Sequence, residues 1–302
     1  MSASEPLAHA DVGTPLRLRL AARGLDAVTL LVLPAMALVI GLFVYPFLYG
    51  FWLSFHPKDG STLGNYLTFF SDPFLYETIG KTLWIALPVT IFNLVISIPI
   101  AFRVRLMKRQ RLLTTILVLP ITLGTVLVAE GLLNYMGPQG WFNRVLMTLG
   151  VISSPVKLIH NYWGVVLSLV ITGFPFAFLL TLSYVTGIDP ALEQAAATLG
   201  ARAWQRFRYV FLPLLLPGLA ITFCLVFVQA FSVFPSAVLL GAPAGPTRVI
   251  SIAAYEAAFE KYDYSLASAI AIIMGLVQLV IVVMVLATRG LFYRGPAAGA
   301  KG

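Results

Sequence analysis

LEQAAATLGARAWQRFRYVFLPLLLPGL, residues 192–219, is the stretch on which the fold turns. Three arginines, one glutamate and two glutamines fall within its first 17 residues, between two long apolar runs. Its apolar positions carry a helical period. Leu192, Ala195, Ala196 and Leu199 stand at i, i+3, i+4 and i+7, one face of a short helix. Asp189 is placed to cap that helix, with Pro190 as its first residue, and Gly200 suits its end or a bend. Trp204, Phe207 and Phe211 then repeat at helical spacing, Arg202 and Arg206 share another face, and Pro213 and Pro217 punctuate the start of the next run. The expectation is two short amphipathic helices joined by a bend. Small alanine side chains on the first face allow a close approach to whatever covers it.

The flanking runs, Asn161–Ile188 and Tyr209–Thr247, are two of six without charge; the others are Ala27–Phe55, Thr82–Phe102, Leu112–Ala129 and Ser265–Thr288. A membrane-crossing helix needs about 20 mostly apolar residues. The chain is 59% hydrophobic and 11% charged, where a soluble domain carries about 25% charge. The reading is an all-α membrane protein with six transmembrane helices, at roughly 27–54, 81–102, 112–135, 162–187, 214–239 and 265–288. The fifth run is too long for one helix, so its GAPAGP end at 241–246 belongs outside the bilayer. A barrel would alternate over segments of about ten residues, which these runs do not. Prolines 34, 46, 88, 99, 120, 175 and 235 lie inside the runs and predict kinks of the kind membrane helices tolerate.

The net charge of +8 follows this topology. With both ends in the cytoplasm, the inner segments hold Arg17, Arg19, Arg23, Arg103, Arg105, Lys108, Arg109, Arg111, Arg202, Arg206, Arg208, Arg289, Arg294 and Lys301, 14 of the 20 basic residues. That is the positive-inside bias, not a footprint for nucleic acid. The single cysteine, Cys224, forms no disulfide within the chain, and the three histidines are scattered, so no metal site or cofactor is expected. The polar residues 1–24 lack the pattern of a cleaved signal peptide and read as a cytoplasmic tail, with a second tail at 293–302. Two segments outside the spans carry helical stripes: Phe142, Val145, Leu146 and Leu149, and then Ile252, Tyr255 and Phe259. Both helices are expected on the membrane surface, where they could also dock an external partner.

Hydrolase and protease motifs do not occur. The Gly-Lys-Thr at 80–82 lacks the glycine a phosphate-binding loop needs five residues earlier, where Leu75 stands. Any ATP must be bound by another chain. A membrane-embedded enzyme therefore has no catalytic groups to draw on. A stand-alone secondary transporter would need intramembrane acids or broken helices in symmetric halves, and no repeat is visible.

The spacing of the insert resembles the EAA loop of binding-protein-dependent ABC importer permeases. That motif runs Glu-Ala-Ala, three residues, Gly, nine residues, a branched apolar residue, one residue, Leu-Pro. Ala195, Ala196, Gly200, Val210, Leu212 and Pro213 fall on it. Gln194 stands where the glutamate is usual, with Glu193 one residue earlier. The resemblance covers about 25–292, with a shared permease core at about 78–287 and the loop at 189–213. More loosely, residues 65–83, 239–250 and 263–274 look like spermidine/putrescine-type permeases, and sugar and glycerol-phosphate permeases share parts of them. The resemblance implies a multi-pass protein of the bacterial inner membrane with both termini cytoplasmic. It implies a second permease subunit, separate ABC ATPase subunits and an extracytoplasmic solute-binding protein. It implies a small polar solute: a polyamine, a related solute such as iron or phosphonate, or alternatively a sugar or glycerol phosphate. The insert would then plug into the ATPase through Leu192, Glu193, Gln194, Ala195, Ala196, Leu199, Gly200 and Pro213, with Arg202, Arg206 and Arg208 available to acidic residues of the partner.

For the solute path the candidates are polar groups inside spans. Glu130 is the one acid in a predicted span, which marks it as functional by default. It lies about five residues, roughly 8 Å, from the outer end. It reads either as an interfacial carboxylate or as a cation-attracting site at the mouth. Gln229 and Ser232, with Asn93 and Gln278, are weaker candidates, because polar residues in bundles often only join helices.

Overall fold

The computed structural model describes residues 27–58 and 60–292. The tails at 1–24 and 293–302, with Arg17, Arg19, Arg23, Arg294 and Lys301, lie outside the described residues. Every regular element among those described is helical, and six helices are long and apolar enough to cross a membrane.

Residues up to Leu53 form one unit. It holds α1 (Ala27–Val39), a π turn at Ile40–Val44, and α2 (Tyr45–Ser54), which runs on into the next unit. In the π turn the Tyr45 N–H reaches back to the Ile40 carbonyl. Pro46, which has no N–H to give, follows at once. Leu42 and Phe43 are exposed at 76% and 71%, as suits a helix whose solvent is lipid.

The second unit, from Ser54 on, carries five spans among the described residues. α3 (Gly64–Ser71) leads to α4 (Pro73–Arg105), the second span. α4 begins eight residues before the expected 81. The signal is Asp72-Pro73: the Asp72 carboxylate accepts from the Phe74 N–H at 2.9 Å and the proline takes the first helical position. Its first two turns reach beyond the apolar run and carry the Glu77–Lys81 pair. α5 (Gln110–Met136) is broken at Gly124, where φ is 73°. α6 (Trp141–Thr148) follows. It is pinned by Asn143, fully buried, which donates to the Gly137 and Val156 carbonyls and accepts from the Val156 N–H.

α7 (Tyr162–Thr186) is the fourth span, capped by Asn161, and α8 (Pro190–Thr198) is the first helix of the polar insert. The second insert helix is not separate. α9 (Ala203–Arg206), a π turn at Phe207–Phe211 and α10 (Leu212–Phe231) form one continuous rod, the fifth span. The device of α2 recurs: the Leu212 N–H reaches the Phe207 carbonyl immediately before Pro213. The expected fifth span to 239 is also corrected. The helix ends at Phe231, the chain leaves helical geometry over 232–234, and a short α11 (Pro235–Leu239) follows. Pro235 disfavours helical geometry in the residue before it, and Phe234 has φ −133°. α12 (Ile250–Tyr255) passes through a π turn at Glu256–Glu260, and α13 (Tyr264–Phe292) is the sixth span.

The spans pack through small and hydroxyl residues. On α4, Thr78, Thr82, Thr90 and Ser97 are fully buried. The three threonines return their hydroxyls to carbonyls three or four residues earlier. Ser97 meets Thr181 of α7 at 2.9 Å, and Ser168 of α7 meets Ser236 of α11 at 2.8 Å. In lipid, such contacts and close packing replace the hydrophobic drive between helices. The segment around α12 keeps its expected outward stripe only in part. Ile252 is buried, whereas Tyr255 and Phe259 are exposed, their rings tilted against each other at 5.0 Å. The inward face is Ile250, Ala253 and Ala257, because alanines let the backbone close on the bundle.

Candidate functional site

The polar insert is defined residue by residue. The Asp189 carboxylate accepts from the Ala191 N–H at 2.8 Å, and Pro190 opens α8. At the other end the Ala201 N–H bonds the Ala196 carbonyl at 3.1 Å and the Gly200 N–H bonds that of Ala197 at 3.0 Å. Gly200 has φ +80°. This is the Schellman closure, with glycine in the left-handed position. Arg202 then starts the next helix, its N–H donating to Gln205 Oε1 at 2.8 Å. The bend falls where the sequence places it.

No residue of α8 is buried. Leu192 is 46% and Leu199 88% exposed, Gln194 and Ala195 are exposed, and Ala196 is half-buried. Among the described residues nothing buries the apolar face, and only Ala196 of it is partly covered. Arg202, Arg208 and Pro213 are exposed too. Arg206 is not free for a partner in the same way, because it turns inward. Its Nη1 lies 3.4 Å from Glu193 Oε1, while Arg105 Nη2, at the end of α4, lies 2.9 Å from Glu193 Oε2. Glu193 is thus the carboxylate that two guanidiniums share, and Gln194 beside it is exposed. The Arg105 guanidinium also packs near the rings of Phe102 and Phe211, at 5.5 and 5.0 Å.

A second feature lies deeper. About 12 residues back along α4 from Arg105, roughly 18 Å, a cavity of about 80 Å³ opens beside the break that ends α10. Its polar lining is Asn93, Thr125, Thr172, Gln229, Ser232 and Ser236. Asn93 donates weakly to the Leu169 carbonyl at 3.4 Å, and its Oδ1 is buried without a partner among the described residues. The close approach needs Gly173: a Cβ there would sit 2.7 Å from Asn93 Nδ2. Gln278 donates to Ser232 Oγ at 2.8 Å. Three of the expected path residues, Asn93, Gln229 and Ser232, thus share one cavity, with Gln278 bonded to its wall. At 80 Å³ the cavity falls below the ~300–1,000 Å³ of a solute site. Glu130 is not among its lining residues. It is exposed on α5, accepting from Asn134 Nδ2 at 3.3 Å.

Arg105 escaped the sequence reading as a site residue. It is one of five basic residues in RVRLMKRQR, 103–111, and only the tertiary contact with Glu193 sets it apart. Thr125 and Thr172 were likewise hidden, being ordinary threonines in apolar runs.

Six apolar spans and an exposed polar helix between the fourth and fifth mark a multi-pass membrane protein. The family signature of the binding-protein-dependent transport system inner membrane component matches residues 17–295, and the chain belongs to that family. It is a multi-pass inner membrane permease of an ABC importer, and the ATPase is a separate subunit. Membership implies a partner permease and an extracytoplasmic binding protein. Among relatives, the chain is similar to the spermidine/putrescine permease PotB of Haemophilus influenzae, 32% identical over 198 residues (63% of this chain, 69% of PotB). It is 31% identical over 262 residues to the trehalose/maltose permease MalF of Thermococcus litoralis (81% of this chain, 87% of MalF). It is 27% identical over 225 residues to a probable sulfate permease, cysT, of Prototheca wickerhamii (74% and 86%). In fold it resembles a subunit of a bacterial alginate ABC transporter, TM-score 0.78 at 23% identity, covering 94% of this chain and all of that one.

Proposed function

We propose that residues 189–213 are the EAA-type coupling loop between the fourth and fifth spans, and that α8 docks on the ATPase through Leu192, Ala195, Ala196 and Leu199. The observation that carries this reading is the uncovered alanine face on a helix capped at both ends. A helix fixed by Asp189 and Gly200 transmits force without fraying. ATP is cytoplasmic, so the arginine-rich end of the bundle and both chain termini face the cytoplasm. The transmembrane domain then spans 25–292, with its shared core at about 78–287 and cytoplasmic tails on either side.

The test is copurification. Ala196→Asp places a carboxylate in the contact, where an unpaired buried charge costs several kcal/mol and about 1.4 kcal/mol is already tenfold in affinity. The variant inserts normally and loses the ATPase. Full retention of the ATPase overturns the assignment.

For the solute, the reading favoured by the polyamine permease relatives is a polyamine, or a related solute such as iron or phosphonate. The path runs past Gln229 and Ser232 in the membrane, with Glu130 drawing cations to the mouth. The wide part of the path is completed by the second permease, since the cavity within this chain is too small alone. A second reading, a sugar or glycerol-phosphate permease, draws on the uncharged cavity lining and on the MalF likeness. Cells carrying this chain with its ATPase and binding protein should accumulate putrescine rather than maltose. Maltose uptake without putrescine uptake would move the chain to the sugar reading.

A further inference from the structure

We propose that Arg105 and Glu193 form a strut that makes α8 and the end of the second span move as one body. The inference rests on the coupling reading of residues 189–213 and asks where the motion goes next. α8 has no buried residue to hold it against the bundle. Among the described residues, every hydrogen bond from an α8 side chain to a residue beyond the insert runs through Glu193, to Arg105 Nη2 at 2.9 Å. The second half of the insert is held differently, by the edge-on rings of Phe207 and Phe211 against Phe102 of α4.

Arg105 is placed to receive a push. Its side chain is 13% exposed. Its Nη1 reaches the Val185 carbonyl near the end of α7 at 3.4 Å. Its guanidinium lies by Phe211 at the start of the fifth span. One planar group therefore touches the loop helix and the ends of three spans. A guanidinium offers five donors in a fixed fork, and a charge-assisted pair in a partly dehydrated site is stiffer than one in water. Arg206 adds a longer contact of 3.4 Å to the same carboxylate, but it belongs to the insert itself and ties α8 only to its neighbour. Arg105 is thus a positioning residue, acting through Glu193.

Spin labels at Lys108→Cys and Thr198→Cys, both exposed positions, in a Cys224→Ala background read the distance between the second-span end and α8. The sample is the whole transporter with its ATPase, nucleotide-free and then trapped with ATP and vanadate. With the strut intact, one narrow peak keeps its position in both states. Glu193→Gln and Arg105→Ala lose that single peak and give a broad distribution, Arg206→Ala keeps it, and Arg105→Lys recovers it in part. A native distance that changes between the two states, or a narrow peak in Glu193→Gln, overturns the strut. Failure of the coupling reading shows separately, as ATPase retained by Ala196→Asp. The permease pair measured without ATPase still reads the strut, narrow in the native chain and broad in Glu193→Gln.

Discussion

Two short helices of this chain are built from nearly the same sequence idea and end up in opposite situations. α8, in PALEQAAAT, and the segment of α12, in ISIAAYEAAFE, each set alanines along one helical face and one glutamate toward an arginine. At α12 the alanine face is closed: Ala253 and Ala257 are 1% and 2% exposed, and Glu256 pairs at 2.6 Å with Arg248, whose guanidinium lies over Phe74. At α8 the face is open, although the ion pair to Arg105 is made just as well. Alanine stripes serve close approach in both cases. The difference is that one is covered by the chain's own bundle and the other, among the described residues, is not. Burial, not composition, separates these two helices.

The sharpest way to break this comparison is to place the same charge on both faces. Ala253→Asp puts a carboxylate where the bundle has closed on a methyl group. An uncompensated buried charge costs ~3–5 kcal/mol, a large share of the ~5–15 kcal/mol that holds a typical protein folded. Size-exclusion chromatography of the detergent-solubilised variant should show loss of the native peak to aggregate. Ala196→Asp, on the open face, should elute as the native chain does. Native elution of Ala253→Asp together with collapse of Ala196→Asp would invert the assignment of closed and open faces.

Much of this was legible in the chain before its structure. Six uncharged runs announce six spans, and Asp189-Pro190 with Gly200 announces the ends of α8, because caps and left-handed glycines act locally. The errors came where one element answers to another. Tyr255 and Phe259 keep the exposed side expected of a surface stripe, but Ile252 of the same stripe is buried with Ala253 and Ala257, since small side chains let that helix approach α4 and α13. The fifth span ended at Phe231 rather than 239, although Pro235 was in view, because an apolar run does not say which proline is tolerated and which breaks. Asn93 lies 136 and 139 positions before Gln229 and Ser232, and their meeting in one cavity is a property of helix packing alone. Arg105 is the clearest case: five basic residues in one turn look alike until a carboxylate 88 positions later selects one.

A smaller effect distinguishes how the two helices stop. The α12 segment is followed by Tyr262 at φ +52°, an L residue holding a left-handed conformation, with its carbonyl accepting from Lys58 at 2.8 Å. α8 stops at Gly200, at φ +80°, with no heavy atom within 4 Å of where a Cβ would be. Space is thus not the constraint at Gly200, and the cost of a side chain is backbone strain alone, ~1–2 kcal/mol for an L residue in this region and more for a β-branched one. Gly200→Val should leave insertion and the bundle intact, because no bundle residue meets the new methyls. It should weaken or lengthen the Ala201-to-Ala196 closure and loosen the bend. Most of the ATPase should still copurify, since the Leu192, Ala195 and Ala196 face precedes the bend, while uptake per ATP hydrolysed falls by about tenfold for ~1.4 kcal/mol of lost coupling. Gly200→Ala, with one methyl and no β-branch, should fall between. Equal uptake per ATP in all three proteins would show that the bend carries no force, and that α8 differs from α12 in what it touches but not in what it transmits.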